Sequence, residues 1–326
     1  MSKFTTFLLT FLLAAALFLS GGCQRKDILD PHEHKNLIIK AKFDSLALTQ
    51  LLSNKSDGYS KPGEPKSVKY VFYERKTQKV AYKGSFNGLE GGVYLQDGYY
   101  DMLLYTSDFN EYDANFFRGM DNPLTAETYT RQTSKHDNDS GVTELNMVEP
   151  DPTFAVLQED VVVLHGYEDN VVEVQLVQKS FKYYLTIKAL GLHNIHTAKM
   201  NISGMYTSAY LAHEDHRMNE AGIQTVEMDI HYDTDPDESI DNGYLYGEFW
   251  AFGPNQREDI LNSIILYFVN GDVIRRELDD LTAQIKTLDK GGEIIVTQVL
   301  EIKGPSGGFE PGVGDWDDPT DVEIIL

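Results

Sequence analysis

The chain is poor in cysteine, in cations and in tryptophan. Its 326 residues include one cysteine, Cys23. One thiol cannot form an intramolecular disulfide, so the fold must rest on its buried core. Lys and Arg number 28 against 51 Asp and Glu, a net charge of -23 at pH 7. Proteins that grip nucleic acid carry basic patches, and charge-held lipid binders carry polybasic segments. Neither class fits, and no nucleic-acid partner is expected. Such acidity serves solubility at a crowded surface. Reaction motifs are absent too. There is no Gly-x-Ser-x-Gly elbow, no His-Glu-x-x-His helix and no phosphate-cradling glycine loop after a strand. The glycines punctuate turns. No enzyme and no cofactor are expected.

What is present begins at the N-terminus. Lys3 precedes Phe4 to Leu19, a run apolar apart from Thr5, Thr6 and Thr10; small residues Ser20, Gly21 and Gly22 then lead to Cys23. The run is shorter than the about 20 apolar residues of a spanning helix and has the three-part layout of a signal peptide. The same layout would serve an uncleaved anchor or a plain secretory signal. "LFLSGGCQRKD" resembles the lipobox of bacterial lipoproteins, with its leucine, Leu19, one place early. That resemblance implies cleavage between Gly22 and Cys23 and a diacylglyceryl group on the Cys23 thiol. Residues 1–22 are then the signal peptide and residues 23–35 a polar tether to the lipid. The expected partner is the membrane through that lipid, and the expected location the outer membrane, on its periplasmic face or at the cell surface.

Beyond the tether the main signal is alternation, the mark of half-buried strands. In "LIIKAKF" Leu37, Ile39, Ala41 and Phe43 share one face and Lys40 and Lys42 the other. In "KYYLTIKAL" Tyr183, Leu185, Ile187 and Ala189 oppose Lys182, Tyr184, Thr186 and Lys188. Val226, Met228 and Ile230 oppose Glu227, Asp229 and His231, and Ala198, Met200 and Ile202 repeat the pattern. Turn clusters such as "NKSDGYSKPGEP", "GYEDN" and "FGPN" lie between, and "VNGDV" signals a hairpin. Helix is scarce: Leu278 to Leu288, with Leu281 and Ile285 at i, i+4, is the best candidate, and "SLALTQLL" near Ser45 the next. Many short strands with turn signals predict an all-β fold of sandwiches. The length suits two domains. The boundary is expected at "HGYEDN", His165 to Asn170, giving domains 36–168 and 169–326.

Two clusters approach metal chemistry. His213 and His216 are three apart but follow a strand-like run into a polar stretch, which reads as a solvated loop. In "DTDPDESIDNGYLYGE", Asp237, Ser239 and Asp241 carry oxygens, with Glu248 twelfth in the frame, an echo of a calcium loop. The sixth place, glycine in such loops, is Asn242, and Tyr244 to Trp250 reads as a strand. No metal site is expected; Asp237, Ser239, Asp241 and Glu248 are the nearest approach to one.

Four stretches in order resemble the fimbrillin-like lipoproteins of Bacteroidales, the type V pilus superfamily, and within it a Bacteroides family related to fimbrial anchor proteins. The first is "CQRKDILDPHEHKNLIIKAKFD". The second is "VYLQDGYYDMLLYTSDFNEYDANFFRGM", with Leu95, Gly98, Tyr100 and the pair Phe117-Arg118. The third is "ISGMYTSAYL", Ile202 to Leu211, and the fourth "GGFEPGVGDWDDPTDVEIIL". The resemblance implies two tandem transthyretin-like Greek-key β-sandwich domains. It implies an anchor or accessory subunit of a pilus or adhesin, assembled by β-strand complementation, with pilin-like subunits or a surface ligand as partners. Shaft subunits of that superfamily lose an N-terminal strand to an arginine-specific protease. Here the first arginines after Cys23 are Arg25 and Arg75. Cutting at Arg25 removes no strand and cutting at Arg75 removes two, so a retained first strand is expected. The alternative is a surface glycan-binding lipoprotein for nutrient capture, which should present coplanar exposed aromatics.

Overall fold

The computed structural model describes residues 35–44, 65–106, 115–136, 143–164, 170–213, 221–232, 242–302 and 324–325. It is an all-β protein. In chain order the strands are β1 (Leu37–Phe43), β2 (Ser67–Glu74), β3 (Val80–Asn87), β4 (Glu90–Val93), β5 (Gly98–Thr106), β6 (Asn115–Arg118) and β7 (Glu127–Thr130). Then come β8 (Gln132–His136), β9 (Thr143–Met147), β10 (Phe154–Val163), β11 (Asn170–Gln178), β12 (Phe181–Leu190), β13 (Ile195–Tyr206) and β14 (Ser208–Tyr210). The last are β15 (Ala221–Tyr232), β16 (Asn242–Ala251), β17 (Asn262–Phe268), β18 (Val273–Glu277), the helix α1 (Thr282–Thr287), β19 (Gly292–Ile302) and β20 (Ile324–Ile325).

Seven strands form the first sheet in the order β3-β2-β5-β10-β11-β1-β4. β10 and β11 pair only at Phe154↔Gln178 and Ala155↔Val177. The sheet therefore splits there into four strands facing three, and the core fills the space between. Leu37, Ile39 and Ala41 of β1 meet Phe72, Met102, Leu104, Phe154, Val174 and Leu176. The edges β3 and β4 are joined by Gly88 and Leu89, and Gly88 has a positive φ of 71° that suits glycine. Gly84 on β3 lies opposite Tyr70, whose ring stacks with Tyr82 and Phe86 on either side of the gap. A Cβ on Gly84 would meet the Tyr70 hydroxyl at 2.4 Å.

A second apolar cluster covers the back of this sheet. Val71, Tyr73, Leu103, Tyr105 and Ala155 pack against Ala126 and Leu211, beneath a small sheet ordered β14-β7-β6. From Tyr100 onward β5 is thus buried on both faces.

The larger sheet runs β18-β17-β13-β15-β16-β12-β19-β20, with β9 on β15 and β8 on β9. Its core takes the predicted inward residues of β12, β13 and β15, together with Leu281, which precedes α1, and Ile285 within it. Of the stretch Leu278 to Leu288, Thr282–Thr287 is helical, and the expected hairpin forms with the Phe268 amide donating to the Asp272 carbonyl at 2.9 Å. "SLALTQLL" lies outside the described residues.

The expected boundary is corrected. β11, assigned from sequence to the second domain, belongs to the first sheet: it pairs in parallel with β1 from Leu37↔Asn170 to Phe43↔Leu176. The chain changes sheets at Lys179 and Ser180, both buried, where no turn residues mark the passage. Nor is the division a single cut. β8 and β9, early in the chain, extend the larger sheet through β15, and β14, later in the chain, pairs with β7 beneath the first.

Candidate functional site

The first strand is held along both edges. β1 lies between β11, parallel, and β4, antiparallel. Outward, Lys42 pairs with Glu173 and Lys40 approaches Glu90 at 4.0 Å. Asn36 brackets the entry to the strand. Its side-chain amide donates to the Leu95 carbonyl at 2.7 Å and its side-chain oxygen accepts from the Leu95 amide at 2.9 Å. The Asn170 side chain donates to the Asn36 carbonyl at 3.1 Å. At the far end Phe43 meets Phe154 edge-on, with ring centres 4.7 Å apart. Without β1, Val93, Val174 and Leu176 would line an open apolar groove flanked by the unpaired main chains of β4 and β11, the arrangement that accepts an added strand.

The residues of the second resemblance stretch divide between this frame and the layer behind the sheet. Leu95 and Tyr100 lie in the core. The Tyr100 hydroxyl donates to the Gln96 carbonyl at 2.9 Å, and its ring lies 3.1 Å from where a Gly98 Cβ would stand. Phe117 packs on Tyr105 at 4.7 Å, and Arg118 pairs with the buried Glu127. In the third stretch Gly204, at φ 69°, bends β13, and β14 follows onto β7.

Between the two large sheets is a polar junction that sequence reasoning missed. The Trp250 side chain, from β16 of the larger sheet, packs into the core of the first. Its backbone amide donates to the Glu149 carboxylate at 2.7 Å. Glu149 as a whole residue is exposed, yet its carboxylate sits in a crowded junction. Desolvation pushes its pKa up to about 7, against the pull of the Trp250 amide and Lys182; Asp151 and Glu248 push the same way as desolvation. Beside it Lys182, buried, pairs with Glu248. Asn115 donates to the Asp151 carbonyl and to Thr153, and Ser180 to the Asp151 carbonyl. The only sequence signal was the "VEPDP" run after β9.

The other expected residues fall as follows. Gly22 and Cys23 lie outside the described residues, as do Asp237, Ser239, Asp241 and His216. Glu248 is engaged by Lys182 and by the Tyr246 hydroxyl, which donates to it at 2.8 Å. Among the described residues no three His, Cys, Asp or Glu side chains gather to hold a metal. The His213 carbonyl accepts from buried Lys179 at 2.8 Å. The exposed tyrosines Tyr82, Tyr94, Tyr99, Tyr232 and Tyr244 are spread over both sheets. Tyr244 stacks on His231 with ring planes 10° apart, which covers one face of its ring.

Residues 22–227 match the model of a family described as "Domain of unknown function (DUF5119)". No curated protein matches the sequence. Among solved structures, a candidate adhesin from Bacteroides ovatus is similar at 17% identity, with 88% of this chain and 99% of that one covered and a TM-score of 0.56. The fimbrial anchor protein Mfa2 from Porphyromonas gingivalis is similar at 11% identity, covering 82% and 90% of the chains, with a TM-score of 0.42. The tip fimbrial protein Mfa3 from the same organism matches at 12% identity, over 83% and 95%, with a TM-score of 0.35. The first of these shares the fold, which is the all-β fold that the fimbrillin-like resemblance implied.

Proposed function

Because the chain belongs to the DUF5119 family and shares its fold with a candidate adhesin, we propose that it is a fimbrillin-like adhesion protein of the cell envelope. It is held by a lipid on Cys23 and works as an anchor or accessory subunit. The observation that carries the subunit assignment is the first strand, paired along both edges and bracketed by Asn36. A shaft-type subunit must offer an empty groove. This chain fills that groove with its own β1, and the arginines flanking it do not favour removing one strand alone. Arg75 lies beyond β2 and is paired with Asp160. Partners are then other pilin-like subunits, met through strand addition or through the outer surfaces of the two sheets.

The test is isolation from envelopes. The expected species begins at Cys23, carries an acyl mass lost in Cys23→Ala, contains Leu37, and co-purifies with surface filaments. A protein starting after Arg75, or one absent from filaments and bound instead to glycan arrays, sinks this reading.

A further inference from the structure

Each large sheet pairs in parallel two of its strands that are distant in the chain. In the first sheet β1 enters and β11 leaves, with seven paired positions. In the larger sheet β12, which follows β11 directly, pairs in parallel with β19, again at seven positions, from Tyr183↔Gly292 to Leu190↔Glu301, with a register shift between Ile187 and Ala189. The two pairs are connected without slack. β11 runs into β12 through Lys179 and Ser180, both buried. The Lys179 amide donates to the Thr153 carbonyl at 2.7 Å, the Thr153 amide to the Ser180 hydroxyl at 2.9 Å, and the Gln178 side chain to the Ser180 carbonyl at 2.8 Å.

Direction decides what tension does to such pairs. Tension between the chain's two ends draws the start of β1 backward and the end of β11 forward. In a parallel pair those are opposite ends, so the strands are sheared along their length and the evenly spaced ladder bonds share the load together. β12 against β19 is sheared in the same direction, with its load carried by two runs, Tyr183 to Ile187 and Ala189 to Leu190, that the register shift separates. Were the pairs antiparallel, the same tension would act at one end and open the bonds one at a time.

We propose that the β1–β11 and β12–β19 pairs are two mechanical clamps in series, which carry tension between the N-terminal tether and the distal part of the protein. The cross-pairings of β9 with β15 and β14 with β7, and the seating of Trp250 in the first core, keep the clamps aligned. Side chains reinforce the shear plane of the first: Lys42 on β1 pairs with Glu173 on β11, and Leu37, Ile39 and Ala41 are buried along it. The geometry is independent of any partner. That the cell uses it to hold an adhesive load rests on the function proposed above.

The experiment is single-molecule pulling on the full, unlipidated chain, in which Cys23 is the sole native thiol and supplies one handle. In the first arrangement the second handle is a tag at Leu326. In the second it is Leu164→Cys, at an exposed position. The Asn170 side chain donates to both the Asn36 and Leu164 carbonyls, at 3.1 and 3.4 Å, so this handle sits at the same end of the β1–β11 pair as the tether. The second arrangement peels β1 away from β11; the first shears it. Forced unfolding reports the barrier to rupture, and shear is expected to raise the rupture force of the first sheet at least about twofold over peeling. Unchanged thermal melting of Leu164→Cys verifies that the handle leaves the fold intact. Equal forces, or a weaker end-to-end arrangement, overturn the proposal while leaving the adhesive reading standing. Absence from filaments would remove that reading and leave the force difference untouched.

Discussion

The two large sheets share a plan and differ in what lies on their outer faces. Behind the first sheet a third layer buries Val71, Tyr73, Leu103 and Tyr105, so its middle strands are apolar on both sides. The larger sheet has its core on one side only; opposite the core Tyr184 and Thr186 are half-buried and Lys188 and Tyr244 exposed. One region of that outer face is covered, where Trp250 and Lys182 stand opposite each other in register and the first half docks. The lesson is that the first sheet needs its neighbours on both sides, while the larger one needs a neighbour at one patch. Removing that patch should have the largest effect. Trp250→Ala empties a nearly buried indole site inside the core of the other half, and loss of a buried aromatic costs about 3–5 kcal/mol. Calorimetry of the variant should show the first sheet melting at a lower temperature than in the wild type, apart from the larger sheet. A single transition with unchanged midpoint would mean that the halves are not coupled through this residue.

A smaller effect should sharpen the contrast between the faces. Leu103 on β5 and Thr186 on β12 both point away from the sandwich cores. Leu103 is fully buried under the third layer, so Leu103→Ala should cost about 2–5 kcal/mol in urea unfolding. Thr186 is only half-buried, and Thr186→Ala should stay within about 0.5 kcal/mol. Similar costs at the two sites would mean that the outer face of the larger sheet is covered as well.

The same contrast explains what was legible in the sequence. Where one face is open, alternation announces the strand: in "KYYLTIKAL", "TVEMDIH" and "LIIKAKF" the residues that the pattern selects are buried, except Phe43 and Ile230, which are half-buried near the strand ends. Where both faces are covered, as in "DMLLYT", the apolar run is continuous and the third layer cannot be foreseen. The boundary was misplaced for a related reason. A polar turn before β11 looked like a linker, whereas the real passage, Lys179-Ser180, is buried and hydrogen-bonded and so carries no turn composition. Nor does chain order reveal that β9 and β14 cross to the opposite sheets, since such pairings depend on contacts distant in sequence. The junction residues were hidden similarly: nothing local marks Glu149 as the acceptor for an amide about a hundred residues away.

Glu149 supplies the smallest and most selective way to probe the difference between the sheets, because it joins them without belonging to either core. Its pKa is raised to about 7 in the folded protein, mainly by desolvation, from an ordinary carboxylate value of 4.5. Between those values the folded chain holds a proton that the unfolded chain has released. By linkage, stability must then fall as pH rises through that window. The contribution is complete below about 4.5 and lost above about 7. Desolvation sets the sign: it outweighs the Trp250 amide and Lys182, which favour the ionised form, while Asp151 and Glu248 add smaller pushes in its own direction. Glu149→Gln keeps an oxygen able to accept from the Trp250 amide but cannot ionise. Melting temperatures of the two proteins should therefore converge near pH 5 and separate toward pH 8, with the variant the more stable there. The separation should vanish in a Trp250→Ala background, where the junction opens to water and desolvation no longer penalises the charge. Parallel melting curves across the whole range would show that the Glu149 carboxylate is solvated in the folded state and that the halves meet through apolar contact alone.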